Sequence, residues 1–315
     1  MKKYVVFDPS HVTDNLGDFI IMDAVNDILG EVFPQDYFFH VPTNDTLGPE
    51  ALKQIQGAPL SFVGGTNIMT SHWWWYRQWN LRPLEVFKVK NAVLLGVGWH
   101  KYQSPPDPMT GWVYRTILNN HYQHSVRDQY TKAHLASVGV NNVIYTGCPT
   151  MWKLTPEHCA QVPVSKAKIA LITLTAYLAQ PEVDKAWLDA VFKRYDEVYF
   201  WSQMHDDHEY AINLAGGRLK LLPPTLEGYN NALKTMDCDY IGTRLHGGIR
   251  ALQLKRRALI LEVDNRAAEI GRNTQLHCTP RADVAAIENW IDQPRPVALT
   301  MPFDQIHKWK QQFKI

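Results

Sequence analysis

The chain has 315 residues, a length that suggests roughly two domains and suffices to bury substantial cores. Hydrophobic residues at 45% and charged residues at 20% give an ordinary globular balance, and a formal net charge of +1 leaves no global field to favour nucleic acid or a membrane surface, so any electrostatic function must be local. Cys148, Cys159, Cys238 and Cys278 are scattered with no Cys-x-x-Cys, which argues against a zinc ribbon or a disulfide framework and makes a reducing cytoplasm the expected compartment.

Taken in chain order, Tyr4–Phe7 after Met1-Lys2-Lys3 reads as a first strand. Its apolar run falls short of the roughly 7–15 residues of a signal-peptide core. Nothing in the chain approaches the roughly 18 apolar residues of a membrane helix. Further strands are expected at Leu60–Val63, Ala92–Val97, His124–Val126 and Val143–Thr146, with helices at Phe19–Leu29 and Thr131–Val138. The helix over 19–29 is the clearest, with Ile20, Ile21, Ala24, Ile28 and Leu29 close to one face. Residues 147–166 carry Pro149, Pro156 and Pro163 without a clean period and read as a connection, the linker proper being 151–166. The alternation then restarts. Strands are expected at Lys168–Leu174, Glu197–Trp201, Leu219–Leu222, Tyr240–Gly242 and Ala258–Val263. Helices are expected at Val183–Tyr195, His205–Ala215, Leu226–Met236 and Gly247–Leu254. The pattern predicts an α/β protein with one parallel-sheet domain over 1–150, a second over 167–295, and a last helix near Phe303–Phe313, within 296–315, that packs back on the first domain. Ligands of such sheets sit beyond the carboxyl ends of the strands, where helix N-termini gather.

Four strand-end loops stand out. Thr13-Asp14-Asn15-Leu16-Gly17-Asp18 offers good cap residues, and reads either as simple capping or as a loop that meets substrate through its backbone. Gly64-Gly65-Thr66-Asn67 ends an apolar run, and its adjacent glycines suit either a tight turn or an anion-binding concavity of consecutive N–H groups. Gly96-Val97-Gly98 follows the same logic, but lacks the third glycine of a dinucleotide fingerprint, since position 101 is Lys. The strongest loop joins the strand ending at Gly242 to the helix opening at Gly247-Gly248, with Arg244, Leu245 and His246 at the turn. Arg offers a planar fork for carboxylate or phosphate, and His exchanges a proton near neutral pH. Cationic groups at a helix N-terminus oppose the helix dipole and call for an anion beside them.

The Arg244-Leu245-His246-Gly247 turn, with the strand Arg257–Val263 after it, resembles the C-terminal motif of polysaccharide pyruvyl transferases. Asn15-Leu16-Gly17-Asp18, Gly64-Gly65, Gly96-Val97-Gly98 and Val126-Arg127-Asp128 resemble other motifs of that family, in the family's order, over about positions 15 to 265. Two positions depart from it: Thr66 stands where a third glycine is frequent, and Cys148-Pro149 where Asp-Pro is frequent. The resemblance implies two Rossmann-like domains in a GT-B-like arrangement around a central cleft. It also implies phosphoenolpyruvate as donor, with no cofactor, and a glycan or glycoside acceptor, free or lipid-linked, that receives a pyruvate ketal. By motif match, Arg244, Leu245, His246, Arg127, Gly64 and Gly65 would bind the donor, with the two arginines coming from different domains. Arg244 and His246 would be catalytic and His246 the general acid; for the base, Asp18 and Asp128 are the candidates.

The acceptor would meet Asp18 and the stretch His72-Trp73-Trp74-Trp75-Tyr76-Arg77-Gln78-Trp79, whose tryptophans helical spacing cannot bury on one face. Trp73, Trp74 and Trp75 would offer ring faces to sugars, unless they form an interdomain or oligomer core. Exposed, they would also suit a homo-oligomer. His205-Asp206-Asp207-His208 has metal-ligand spacing but reads better as a helix cap, and no metal is needed for this reaction. Two other readings stay open. A glycosyltransferase with a nucleotide-sugar donor would use Glu262 or Asp264 for the ribose. A non-catalytic glycan-binding protein would use the tryptophans alone. No nucleic-acid partner is expected: the basic run Lys255-Arg256-Arg257 is short and suits a solvated helix end.

Overall fold

A computed structural model describes residues 1–76 and 78–314. Arg77, within the tryptophan-rich stretch, lies outside the described residues. The chain divides into two compact units, one of Met1–Thr13, Ile21–Trp152 and Met301–Ile315, the other of Asp14–Ile20 and Lys153–Thr300.

Unit one is built on β1 (Lys3–Asp8), α1 (Leu16–Val32), β2 (Tyr37–Pro42), α2 (Pro49–Gly57), β3 (Ser61–Gly64), β4 (Ala92–Leu95), α3 (Pro108–Ile117), β5 (His124–Val126), α4 (Gln129–Ser137) and β6 (Val143–Tyr145). Four strands form a parallel sheet in the order β2-β1-β3-β4, and β5 pairs with β6. The Gly96 N–H to Ser125 and Arg127 N–H to Val97 hydrogen bonds, at 2.9 and 3.1 Å, tie β5 to the chain leaving β4. The order reverses between β1 and β3. Phe7, Val63, Trp73, Trp79, Leu94, Trp99 and Tyr114 are buried in the core of this unit.

Unit two carries α5 (Pro156–Cys159), β7 (Ile169–Thr173), α6 (Pro181–Phe192), β8 (Glu197–Phe200), α7 (His205–Ala215), β9 (Lys220–Leu221), α8 (Leu226–Thr235), β10 (Cys238–Gly242), α9 (Leu245–Gln253), β11 (Ala258–Glu262), α10 (Asn265–Thr274), β12 (Cys278–Pro280) and α11 (Val284–Asp292). Its six strands are parallel in the order β12-β11-β10-β7-β8-β9. This is the doubly wound Rossmann order, and it reverses between β7 and β10. Both faces of such a sheet are covered, so its strands read as near-continuous apolar runs; β7 (Ile-Ala-Leu-Ile-Thr) and β11 (Ala-Leu-Ile-Leu-Glu) do so. Trp187, Phe200, Ile241, Leu261 and Trp290 are in the core of unit two. No helix among the described residues is long and apolar enough to cross a membrane.

The last helix, α12 (Phe303–Gln311), belongs to unit one, where Trp309 is fully buried with its ring 5.8 Å from Trp152 and 6.4 Å from Phe62. The stretch 151–166, expected to be a linker, holds the boundary between the units at Trp152/Lys153 and is itself packed. Pro149 and Pro156 stand at the first positions of a 3₁₀ turn and of α5, where the fixed φ and missing N–H of proline suit a helix start. Met151, Trp152, Leu154, Cys159 and Val162 are buried. The sequence reading also missed β2, α2, α3, α10, β12 and α11. α3 begins after a proline-rich loop and is capped by Asp107, which accepts from the Thr110 N–H at 2.8 Å.

Candidate active site

In unit two the turn after β10 lies where the strand order reverses. The chain makes this turn tightly: a Cβ on Gly242 would come within 2.3 Å of Thr173 Oγ1, and one on Gly248 within 2.6 Å of Ile260. Tyr240 donates its hydroxyl hydrogen bond to the Arg244 carbonyl at 2.6 Å, and Tyr229 donates to the Gly247 carbonyl at 2.7 Å. These contacts fix the start of α9.

Arg244 is the residue just before α9, and its side chain is almost wholly buried. Its Nε donates to the Leu174 carbonyl and to Asp207 Oδ2, both at 3.0 Å, and its Nη2 donates to Asp207 Oδ2 at 2.6 Å. Asp207 also accepts the Ala176 and Met204 N–H groups at 3.0 and 3.1 Å. This corrects the expectation of an arginine fork open to the donor: the anion that a cation at a helix N-terminus calls for is supplied by the protein itself, as the Asp207 carboxylate. The stretch His205-Asp206-Asp207-His208 opens α7, as the capping reading expected, with Asp207 accepting the Met204 N–H. Asp207 is buried against Arg244, while His205 and His208 are exposed on the first turn of α7.

His246, also buried, lines a pocket with Asn15, Gln203, Arg244, Asp264 and Arg266. The first residues of α9 and of α10 both face it, and two helix N-termini on one pocket favour an anion. Arg266 binds Asp264 Oδ2 through Nε at 2.8 Å and the Tyr177 hydroxyl through Nη2 at 3.0 Å. Burial works against the charge of this guanidinium, but Asp264 and Tyr177 more than offset it and raise its pKa above the usual arginine value. Gln203 donates to Asn15 Oδ1 at 2.8 Å, while its own Oε1 is buried without a hydrogen-bond partner among the described residues. The Asn15-Leu16-Gly17-Asp18 segment thus joins the Arg244 turn within unit two, where a Cβ on Gly17 would stand 2.7 Å from Gln203 Nε2 and displace that amide. Asp18 is buried in the first turn of α1, within the stretch Asp14–Ile20 that belongs with unit two. A larger hollow of about 520 Å³ shares Gln203 and is rimmed by Asp14, His205 and His208.

Arg266 and Gln203 escaped the sequence reading, as did the pairing of Asp207 with Arg244. Asp207 looks like a helix-start residue, which it also is; nothing local marks it as the partner of an arginine 37 positions on. Arg266 follows Asp264 at a helix start, a pattern that capping alone explains.

The other expected site residues lie in unit one. Arg127 is buried with Nε 3.2 Å from Asp128 Oδ2, and its Nη2 has no hydrogen-bond partner among the described residues. Gly98 makes room for it: a Cβ there would stand 2.2 Å from Arg127 Nε. Asp128 caps α4 through the Thr131 N–H at 2.7 Å. Gly64 and Gly65 have a packing role, with a Cβ on Gly65 falling 2.8 Å from the Gly96 carbonyl oxygen. Cys148 is a buried thiol 3.0 Å from Thr150 Oγ1, and burial raises its pKa, so this turn carries no charge. The tryptophans divide. Trp73 is in the core and cannot offer its face to a sugar, a correction imposed by the hydrophobic effect, whereas Trp74 and Trp75 are exposed, Trp75 at 89%.

Three solved structures resemble the chain in fold. They are the S. aureus MnaA–UDP complex (TM-score 0.57, 13% identity, 99% of this chain and 97% of that one), the Methanocaldococcus jannaschii UDP-GlcNAc 2-epimerase with UDP-GlcNAc and UDP (0.54, 11%, 98% and 99%) and the Rickettsia bellii UDP-N-acetylglucosamine 2-epimerase (0.53, 10%, 99% and 95%). At these identities the likeness is one of fold, the α/β fold of two Rossmann-like units shared with GT-B enzymes. No curated protein matches in sequence. The family model of polysaccharide pyruvyl transferase matches residues 15–265, from the Asn15 loop through the Arg244 turn to the start of α10, and the chain belongs to that family.

Proposed function

We propose that this chain transfers a pyruvyl group from phosphoenolpyruvate to a pair of sugar hydroxyls on a glycan, leaving a pyruvate ketal. The observation that carries the reading is the pocket of unit two, where His246 and Arg266 meet the N-termini of α9 and α10 at the strand-order reversal. A donor that bears a carboxylate and a phosphate suits such a pocket. The Nε–Nη2 side of Arg244 is held by Asp207, so the donor would be met by the Nη1 side of the guanidinium.

The chemistry balances with one proton delivered and two released. The methylene carbon takes a proton, the first hydroxyl oxygen bonds to the central carbon, and the second displaces phosphate with C–O cleavage. The two hydroxyl protons replace the one delivered and protonate the departing phosphate. His246 is assigned the delivered proton, since a nearby dianion favours a charged imidazole. The supply of a nucleotide-sugar in place of phosphoenolpyruvate is the second reading, favoured by the UDP-bound structures of the same fold; against it, Asp264, which would hold a ribose, is engaged with Arg266.

Thermal unfolding with millimolar phosphoenolpyruvate tests this. At about 100 times its dissociation constant a ligand adds roughly 2.7 kcal/mol, so the wild type should shift and Arg244→Ala should not. His246→Ala should lose turnover. No response to phosphoenolpyruvate alongside a clear one to a nucleotide-sugar would replace this reading with the second.

A further inference from the structure

The carboxyl end of β1 carries a cluster that pyruvyl transfer does not use. Asp8 ends β1, is buried, and stands where the strand order of unit one reverses. Two imidazoles meet its Oδ2: His40 of β2 through Nδ1 at 2.7 Å, and His11 of the following loop through Nε2 at 3.5 Å. One ligand atom from each of the three residues lies within 4.8 Å of the other two. The second carboxylate oxygen, Oδ1, accepts from the Ser10 N–H at 2.7 Å and the Ser10 hydroxyl at 2.6 Å. The loop that bears His11 is pinned by Asn44, whose Nδ2 donates to the Pro9 carbonyl at 3.2 Å. It leaves through Val12 at φ 56°, a left-handed conformation that a β-branched residue adopts only under constraint.

We propose that Asp8, His11 and His40 bind a divalent first-row transition ion of the zinc class. Such ions bond imidazole nitrogen and carboxylate oxygen at about 2.0–2.2 Å, which at a tetrahedral angle places neighbouring donor atoms about 3.3 Å apart. The observed separations of 2.7 and 3.5 Å straddle that value, so shifts of up to about 0.6 Å bring the two contacts to Asp8 to that spacing. Two imidazoles and one carboxylate select borderline ions over Mg²⁺ and Ca²⁺, which prefer oxygen throughout. Ser10 supplies the outer hydrogen bonds that orient a ligating carboxylate. Three protein ligands leave a position for water or a ligand oxygen, and the half-exposed His11 opens the cluster to solvent. This inference is independent of the donor reading, which concerns unit two.

The test uses the full chain, free of any affinity tag and stripped by chelator, titrated with Co²⁺ by calorimetry and visible absorption. One Co²⁺ per chain is expected, with the intense visible bands of a low-symmetry site, and Zn²⁺ should bleach them. His11→Ala, at a half-exposed position that spares the core, should weaken binding by at least roughly tenfold while leaving circular dichroism unchanged, and His40→Ala should do the same; loss of even an outer-shell partner costs 10–100-fold. His205→Ala, in the exposed pair on α7, should change nothing. Absence of Co²⁺ binding, or binding that survives both His11→Ala and His40→Ala, would overturn the proposal and leave the three residues as a hydrogen-bonded cluster.

Discussion

Arg244 and Asp207 are both almost wholly buried, and each is tolerated because the other is there. Removing one partner of a buried pair costs more than the pair contributes, since it strands a charge away from water. Asp207→Ala should therefore destabilise unit two by roughly 3–5 kcal/mol, read by urea unfolding, and should weaken phosphoenolpyruvate protection because Arg244 loses its orientation. An unchanged urea midpoint would show that the pair is not formed in solution. His124 gives the clearest pH dependence. Its Nδ1 accepts the Leu94 N–H at 3.2 Å, so Nε2 carries the proton and meets the Asn119 carbonyl at 2.9 Å. A second ring proton would face the Leu94 N–H, and burial lowers the pKa from 6.5 to about 4. The unfolded chain thus binds the extra proton first. This contribution is fully present above pH 6.5 and is lost as the pH falls towards 4, a change of about 3 kcal/mol. Urea midpoints measured across that window should fall in the wild type and flatten in His124→Asn.

At the scale of elements, helix starts do most of the positioning. Asp107, Asp128, Thr225 and Asp264 each accept a backbone N–H at the start of the following helix. The α9 start differs: Arg244 makes no side-chain cap, and the helix is held by the Tyr229 and Tyr240 hydroxyls instead. α12 shows how a terminal helix is retained. Trp309 is wholly buried among Phe62, Trp152 and Phe313, and Lys310 of the same helix stands 5.7 Å from the Trp152 ring centroid. Trp309→Ala should cost unit one roughly 3–5 kcal/mol, and limited proteolysis should then cut near 301. Resistance equal to wild type would mean that the helix contributes little to the unit.

At the scale of the whole molecule, two sheets of different strand order place their reversals at β1/β3 and at β7/β10. Asp8 stands at the first and Arg244 at the second, so the chemistry-bearing residues collect where diverging connections leave room at the strand ends. Alternating apolar strands and amphipathic helices were enough to read an α/β chain with parallel sheets, because a strand buried on both faces must be apolar along its length. The Arg244-Leu245-His246 turn and the Asn15 loop were also legible, since glycines and cap residues act over a few neighbours. Strand order was not, because a βα repeat has the same local pattern whichever neighbour its strand pairs with. Nor was the partnership of Arg244 with Asp207, or the meeting of Asp8, His11 and His40: side chains distant in sequence become neighbours through the pairing of strands. The sequence determined which groups are present and where the chain turns; the tertiary structure decided which charge neutralises which, because burial makes every charge depend on what the fold places beside it.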